Sequence, residues 1–370
     1  MIFVIADKNT LYNTEFQGDE LPDALNCFVT EQKNGEFSFE MQYPLSGLNA
    51  DKLIVNAIVM VSPRPEAQRE PFRICSIEQN INRIMTVRGN HIVYDTDGYI
   101  VMGFQPTGIT TAISWANQNI LGSLHCEIVN DGVTDETTQM QFVKPTTAWN
   151  IIGGFSTYFG AELSYHFNTF TKKTVITTHA SRGSEKRTII KYGVNIVDLQ
   201  RKQSVENMYS RVECNWKNSV GSYRSTGVTS IDRTLLLDIS NEFETEPTPE
   251  QMQEYLRLYI QNHEFGITDD LSVQYIPIGN TTEYESTPVA IVGIAIVGTA
   301  VIGQVSNLEG SERLDLCDTA TIDASLIGVE RKAQCVEVVF NALKNRYDRI
   351  TIGAILQNII DQIVRNSEAV

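Results

Sequence analysis

The segment CFVTEQKNGEFSFEMQYP, residues 27–44, decides the fold class of this chain because it holds both strands and the turn of a hairpin. From Phe37 to Tyr43 apolar and polar residues alternate, which is the period of a strand with one buried face. The Asn34-Gly35 dipeptide before it is the strongest short hairpin signal, and 27–30 supplies the incoming strand. The segment therefore predicts an antiparallel β-hairpin.

Further short apolar stretches follow this hairpin at regular spacing. Residues 54–61 and 72–77 predict a second strand pair joined by a Pro-rich connection, and 84–89 predicts a fifth strand. Five short strands with turn signals between them predict a small antiparallel barrel or sandwich. The same criteria predict later strands at 161–165, 174–178, 188–192, 196–199, 208–216, 271–277, 319–322 and 333–341.

Helices are predicted where apolar residues recur at helical spacing. Thr110 or Thr111 is expected to cap the first. The clearest helix has Thr248 as its N-cap, Pro249 in its first turn and Gln251 at the capping-box position. Strands early and late with helices between them indicate a β-rich α+β fold whose sheets are completed by distant parts of the chain. The predicted helices are 110–121, 147–158, 248–261 and 354–365.

The composition is that of a folded, acidic protein. Hydrophobic residues make up 42% and charged residues 20% of the 370 residues, which is ordinary for a globular chain. The 29 basic and 45 acidic residues give a net charge of −16, and such a surface repels phosphate backbones. A dedicated nucleic-acid-binding role is therefore excluded, whereas an acidic wall along which DNA slides without binding remains compatible.

Two apolar stretches raise the question of a membrane or secretion signal. Residues 1–7, MIFVIAD, have no basic start and predict a first strand rather than a signal peptide. Residues 289–303, VAIVGIAIVGTAVIG, are shorter than the roughly 20 residues that a spanning helix needs. This segment is interpreted as a buried hairpin or as an apolar contact between subunits, and no membrane span is expected.

Cysteine and histidine residues do not form a recognisable site. The cysteines are dispersed, which predicts buried reduced thiols rather than zinc ligands. No H-E-x-x-H or other close cluster is present, so no metal is expected. His125 and Cys126 are neighbours on a predicted strand and would point to opposite faces, which prevents a Cys–His couple. The residues concerned are Cys27, Cys75, Cys126, Cys214, Cys317, Cys335, His91, His125, His166, His179 and His263.

Other catalytic motifs are also missing from the sequence. There is no G-x-S-x-G, Walker or G-x-G-x-x-G pattern, and Gly153-Gly154 lies in a predicted helix, where a phosphate cradle is not expected. A carboxylate pair could come from any of the 45 acidic residues, without a favoured pair. Residues 182–187, RGSEKR, predict a solvated hairpin tip or a contact with an acidic partner subunit. We predict no catalytic, cofactor-binding or metal-ligating residue and no cofactor.

The order of these segments resembles the prophage endopeptidase-tail family, the hub proteins of siphophage tail tips. The similarity runs along most of the chain, and it depends on the number and order of the matching segments. The matching segments are the hairpin at 27–44, FRI at 72–74 with TVRGNHIVYD at 86–95, the helix and strand at 149–171, the stretch 182–196 and the stretch 316–353.

The resemblance implies a phage baseplate hub-like fold. Such a fold has two β-barrel-like hub domains with discontinuous strands and smaller α/β insertion domains. On this basis 1–103 and about 204–240 are expected to form the first barrel domain, and 104–203 and about 312–353 a second barrel-like domain with helices. Residues 241–311 are then an α/β insertion and 354–370 a C-terminal helix.

The resemblance also implies a function. The chain is similar to structural tail proteins that form a homotrimeric tail-tip hub. Such a protein is expected to be made in the bacterial host cytoplasm and to be located in the virion. Expected partners are the distal tail protein hexamer, the tail tube or tape-measure protein, and a tail fibre or lysin, with DNA passing through the channel without specific binding.

Many family members continue into a cell-wall hydrolase, so a peptidoglycan endopeptidase, or its non-catalytic N-terminal part, is the alternative. A receptor-binding or carbohydrate-binding module is a third interpretation. No hydrolase motif is present in the sequence, and we predict that the chain is not an enzyme.

Overall fold

A computed structural model of the chain describes residues 1–5, 11–12, 18–191, 196–206, 208–217, 219–240, 242–243, 245–263, 265–266, 268–275, 314–325 and 328–353. The α-helices described are α1 (Ile109–Asn119), α2 (Ala148–Phe159) and α3 (Pro249–Asn262). The strands are β1 (Phe3–Ile5), β2 (Asp19–Glu20), β3 (Asn26–Gln32), β4 (Phe37–Pro44), β5 (Ile58–Val61), β6 (Glu70–Gln79), β7 (Ile84–His91), β8 (Ile100–Val101), β9 (Cys126–Asp131), β10 (Thr146–Thr147), β11 (Glu162–Asn168), β12 (Lys173–His179), β13 (Glu185–Lys191), β14 (Ile196–Ser204), β15 (Arg211–Trp216), β16 (Ser219–Ser225), β17 (Thr234–Asp238), β18 (Thr268–Tyr275), β19 (Thr319–Ala324), β20 (Val329–Asn341) and β21 (Arg346–Gly353).

The chain forms two compact units, each assembled from separate stretches. The first consists of Met1–His91, Arg182–Gln200 and Leu271–Val370, and the second of Ile92–Ser181 and Arg201–Asp270. The prediction of a β-rich α+β fold with discontinuous strands is confirmed. None of the sheets formed by the described residues closes on itself.

The first unit is dominated by one large mixed sheet. Its described strands follow the order β14-β18-β21-β20-β3-β4-β7-β6-β5-β1-β2, with β19 paired to β20 and β13 to β19. The predicted hairpin is confirmed as the antiparallel pair of β3 and β4, and Asn34 in its turn has φ of +50°. Alternate side chains of β4 point into the core, as the sequence period requires. These core residues are Phe37, Phe39, Met41 and Tyr43.

The late strands β19, β20 and β21 belong to this same sheet. β20 pairs with β3, so that Val338 lies opposite Glu31 and Glu337 opposite Gln32. β20 also pairs with β19 and β21, and β19 in turn pairs with β13, so strands from three distant parts of the chain meet in this sheet. The alternating pattern identifies a strand and its buried face, whereas its partner is chosen by long-range packing. The predicted division of the chain into two hub domains stays a prediction.

The second unit contains two three-stranded sheets, each with helical residues packed on one face, and one two-stranded sheet. In the sheet β11-β12-β9, the buried side chains of Ile128, Leu163 and Ile176 pack with residues of α1 and α2. In the sheet β16-β15-β17, Val212 and Cys214 pack with residues of α3. A two-stranded sheet joins β8 and β10. The three helices α1, α2 and α3 all belong to this unit.

Three of the four predicted helices are confirmed, with one correction at an N-terminus, and the fourth lies outside the described residues. The Thr248 hydroxyl accepts from the Gln251 amide in the predicted capping box of α3. At α1 the prediction of Thr110 or Thr111 as the cap was wrong, because Gly108 is the N-cap and makes no side-chain cap. The Ile109 amide instead donates to the Asp135 carbonyl at 2.8 Å, so a loop distant in sequence satisfies the free helix donors.

The loop that covers the start of α1 is held by one carboxylate. Asp135 accepts hydrogen bonds from the backbone amides and hydroxyls of Thr137 and Thr138, at 2.6 to 3.0 Å. The hydroxyl of Thr138 and then its amide are the main causes that lower the pKa of Asp135 below its ordinary value. The ionised carboxylate therefore stabilises the turn that presents the capping carbonyl.

The cysteine prediction is confirmed at all positions but one. Five of the six thiols are buried and free, and burial raises the pKa of Cys27 to about 12, which keeps this thiol protonated. The prediction was wrong for Cys75, which is exposed. The register of β6 against β7 shifts between Ile74 and Ser76, so Cys75 is the extra residue of a β-bulge and the alternation of faces breaks there.

Within the described ranges, no helix has the length and apolar character that a membrane span requires. The predicted helix 354–365 and the apolar segment 289–303 lie outside the described residues.

The close packing of β7 gives a test of this fold. Gly89 lies opposite Phe39, and a Cβ built on it would be 2.2 Å from the Arg73 carbonyl oxygen. We expect Gly89→Ala to lower the free energy of unfolding by about 1–3 kcal/mol, because the strands must move apart. A Cβ on Gly98 meets nothing within 4 Å, so Gly98→Ala is the matched control and should change little. Urea denaturation of both variants measures this, and equal stabilities would contradict the packing of β7.

Candidate functional site

The cluster 182–187, predicted as a solvated hairpin tip or as a contact with an acidic partner subunit, begins with a residue whose charge is buried within this chain. Arg182 Nη2 lies 2.6 Å from Glu31 Oε1, and the two side chains are only 10% and 7% exposed. Arg182 therefore packs against β3, whereas Ser184 and Glu185 are exposed. The sequence could not reveal this, because the carboxylate that neutralises Arg182 is about 150 residues earlier in the chain.

The same segment is attached to the start of β19. The Ser184 amide donates to Asp318 Oδ1 at 2.8 Å, and the Ser184 hydroxyl donates to the same oxygen at 3.1 Å. Gly183 approaches the backbone so closely that a Cβ would lie 2.0 Å from the Cys317 carbonyl oxygen. Lys186 Nζ lies 3.5 Å from the other Asp318 oxygen. A side chain at position 183 would break this attachment.

A second buried carboxylate, Glu337, lies one residue from this ion pair in the sheet register. Its oxygens accept from Gln32 Nε2 at 2.8 Å and from the Thr351 hydroxyl at 3.2 Å, and Arg349 Nη2 lies at 3.1 Å. Glu337 is opposite Gln32, whereas Glu31 is opposite Val338, so the two carboxylates point to opposite faces of the sheet. They cannot act together as an acid–base pair.

Histidine and cysteine residues do not create a metal site in the part of the chain that the structure describes. No group of three or more potential ligands comes together there. His91 Nε2 lies 3.3 Å from Glu70 Oε2 in the core, and its ring stacks on Phe37 with centroids 4.7 Å apart. His125 has φ of +54° and ends a short 3-10 helix, and the buried Cys126 begins β9. Gly153 and Gly154 lie inside α2, as predicted.

One constellation escaped the sequence analysis. On the sheet β11-β12-β9, Ser164 Oγ lies 2.8 Å from His179 Nε2, and His179 Nδ1 lies 2.7 Å from Asp131 Oδ2. The three residues therefore form a continuous hydrogen-bonded chain. They are separated by 33 and 15 positions and belong to three different strands, so no local motif carries the signal. Only the strand register brings them together.

Known proteins were compared with this chain in sequence and in structure. No protein-family model and no curated protein matches its sequence. A prophage tail protein gp18 from Listeria monocytogenes matches its structure with a TM-score of 0.57 and 10% identity, over 99% of this chain and 98% of that one.

This chain has the fold of prophage tail proteins. A tail protein of prophage MuSo2 from Shewanella oneidensis matches with a TM-score of 0.56 and 11% identity, over 96% of this chain and 98% of that one. A tail protein from Neisseria meningitidis matches with a TM-score of 0.55 and 9% identity, over 95% and 96%. At these identities the likeness concerns the fold alone, and no residue role is transferred.

The buried ion pair of this tail-protein fold can be tested by mutation. We expect Arg182→Ala to lower the free energy of unfolding by about 3–5 kcal/mol, because the Glu31 charge loses its guanidinium partner while it stays buried. The matched control is Lys332→Ala, which removes an ion pair with Glu185 whose side chains are 59% and 64% exposed. This exposed pair should contribute less than about 1 kcal/mol.

Chemical denaturation measures both variants. The double variant Arg182→Met with Glu31→Leu should recover most of the loss, since two apolar side chains remove the uncompensated charge. Equal losses for Arg182→Ala and Lys332→Ala would contradict the buried pair.

Proposed function

We propose that this chain is a structural protein of a phage or prophage tail. The observation that carries the proposal is the extent of the fold match, which includes 99% of this chain and 98% of the Listeria monocytogenes prophage tail protein. Because the match covers nearly the full length of both chains, the two proteins are similar in their whole architecture rather than in a single domain. Two further tail proteins match over 95% or more of this chain.

The finer proposal is a homotrimeric tail-tip hub. It is supported by the order of segments that resembles the endopeptidase-tail family and by two units built from interleaved stretches of chain. In this proposal, 1–103 with about 204–240 and 104–203 with about 312–353 are the two hub domains. Each chain then offers two related surfaces, and three chains offer six to a hexameric distal tail protein.

The proposed hub would join that hexamer to a tail fibre or lysin and would contact the tail tube or tape-measure protein. The net charge of −16 supports a channel through which DNA passes without binding, since acidic walls repel phosphates. The hub would be made in the host cytoplasm and would act in the virion. In this role the chain needs no cofactor.

The assembly state tests this proposal. We expect mass photometry of the purified chain to show trimers, or trimers formed on addition of its distal tail protein, with three copies of this chain per ring hexamer. Because the proposed surfaces are shared by all copies, raising the concentration should shift the population towards the trimer. A chain that remains monomeric with its ring partner present would contradict the hub.

Activity on cell walls separates the hub from the alternative, a peptidoglycan endopeptidase. We expect no released peptides when the chain is incubated with purified peptidoglycan, because the sequence lacks a cell-wall hydrolase motif. Amine groups freed from the wall are measured over time, with a known endopeptidase as the positive control. Sustained release by this chain, lost on its heat denaturation, would favour the enzyme.

A further inference from the structure

We propose that Ser164, His179 and Asp131 form a nucleophilic site that hydrolyses carboxylic esters. This activity goes beyond the structural role and does not depend on it. The proposal rests on the two hydrogen bonds that join the side chains in the order serine, histidine, aspartate, at 2.8 and 2.7 Å. A hydroxyl joined to a base that a third group orients is the arrangement of an activated nucleophile.

The strand register places the three side chains on one face. His179 of β12 is opposite Glu162 in β11 and Asp131 in β9. Ser164 follows Glu162 by two residues, so it points to the same side of the sheet as His179. A diagonal neighbour at this spacing is within reach of a long side chain such as histidine. The constellation is therefore fixed by backbone pairing on three adjacent strands.

This face is opposite to the one that packs with the helices. The alternate residues Ile128, Leu163 and Ile176 point the other way, into the core shared with α1 and α2. The His179 side chain is 18% exposed and that of Asp131 is 68% exposed. The base is thus largely covered, Ser164 is half-buried, and the carboxylate is open to solvent.

Elementary hydrogen-bond chemistry assigns the protons. An ionised aspartate can only accept, so the Asp131 carboxylate requires the proton of the imidazole to be on Nδ1. In neutral histidine this leaves Nε2 as an acceptor, and the Ser164 hydroxyl must donate to it. His179 is consequently in the tautomer that a general base for Ser164 needs. Asp131 holds this tautomer and the orientation of the ring.

The proposed reaction balances without a cofactor. Ser164 Oγ attacks the acyl carbon and forms a new C–O bond, while its proton moves to His179 Nε2. Cleavage of the ester C–O bond releases the alcohol, which takes that proton. Water then attacks the acyl-serine, gives a proton to His179, and the carboxylic acid leaves as Ser164 recovers its proton.

Because Asp131 is exposed, we expect the site to cleave ester bonds rather than peptide bonds. Solvent screens the Asp131 charge, so it stabilises the imidazolium less than a buried carboxylate would. An alcohol leaves with less help from a protonated base than an amine does. The site is therefore suited to carboxylic esters, and it is distinct from the peptide cleavage of the alternative function.

Covalent labelling tests the proposal on the full chain. We expect a fluorophosphonate probe to modify Ser164, identified by mass spectrometry of the digested protein, and p-nitrophenyl acetate to be hydrolysed. Ser164→Ala should abolish both signals. His179→Ala should slow both by about 10²- to 10⁴-fold, the range for loss of a general base. Asp131→Asn should slow both because it disturbs the tautomer of His179. The factor should be smaller than for His179→Ala, since solvent already screens the Asp131 charge.

His166→Ala is the matched control, because His166 is an exposed histidine two residues from Ser164 on the same strand. Its labelling rate should equal that of the unchanged protein. Thermal melting of each variant confirms that it is folded. Failure of the probe to modify Ser164 in the folded chain would overturn the proposal, as would equal labelling of the unchanged protein and His179→Ala. Neither result would affect trimer formation, so the two proposals can fail separately.

Discussion

The pairing of β20 with β3 is the constraint on which the first unit depends. It joins the N-terminal strands β4, β7, β6 and β5 to the late strands β21 and β18 in one sheet. About 300 residues separate the partners Gln32 and Glu337, so the loop-closure entropy must be offset by contacts across this seam. Carboxylates on opposite faces fix the register, Glu31 with Arg182 and Glu337 with Arg349. A slip of one residue would exchange the two faces and leave both charges without these partners.

This seam explains how one chain can carry large insertions. The second unit is made of two stretches that leave the first unit and return to it. Because β20 pairs directly with β3, the sheet of the first unit is continuous even though its strands come from distant parts of the chain. A protein that must hold several partners in a fixed geometry benefits from such a continuous sheet, since rigid strands position surfaces more reliably than loops do. The fold is thus suited to the structural tail role that we propose.

Local physical signals were sufficient to predict individual elements. The hairpin of β3 and β4 follows from Asn34-Gly35 and strict alternation, and α3 follows from its capping box. Prediction failed where a distant residue decides the outcome. The cap of α1 comes from the Asp135 loop, and Arg182 is buried by Glu31. The β-bulge at Cys75 was also missed, because the register that inserts this residue is set by the pairing of β6 with β7.

The Ser164 constellation shows the same limit for chemistry. A short motif can identify a site only when neighbouring residues carry it, whereas this site depends on parallel pairing of β9 with β12 and antiparallel pairing of β12 with β11. Residue types alone gave no reason to group one serine, one histidine and one aspartate, because the chain has five histidines and many more serines and aspartates. Conversely, the family resemblance was carried by the order of segments and not by any site. The fold could therefore be predicted from the order of local segments, whereas this candidate site depends on the pairing of strands that are far apart in the sequence.

Cryo-electron microscopy of tails that carry this chain is the most direct test of the central claim. The account predicts three copies around the channel at the tail tip, each with the continuous sheet that joins β3 to β20. Tails in which this chain is absent, or in which it lies away from the tip as single copies, would contradict it.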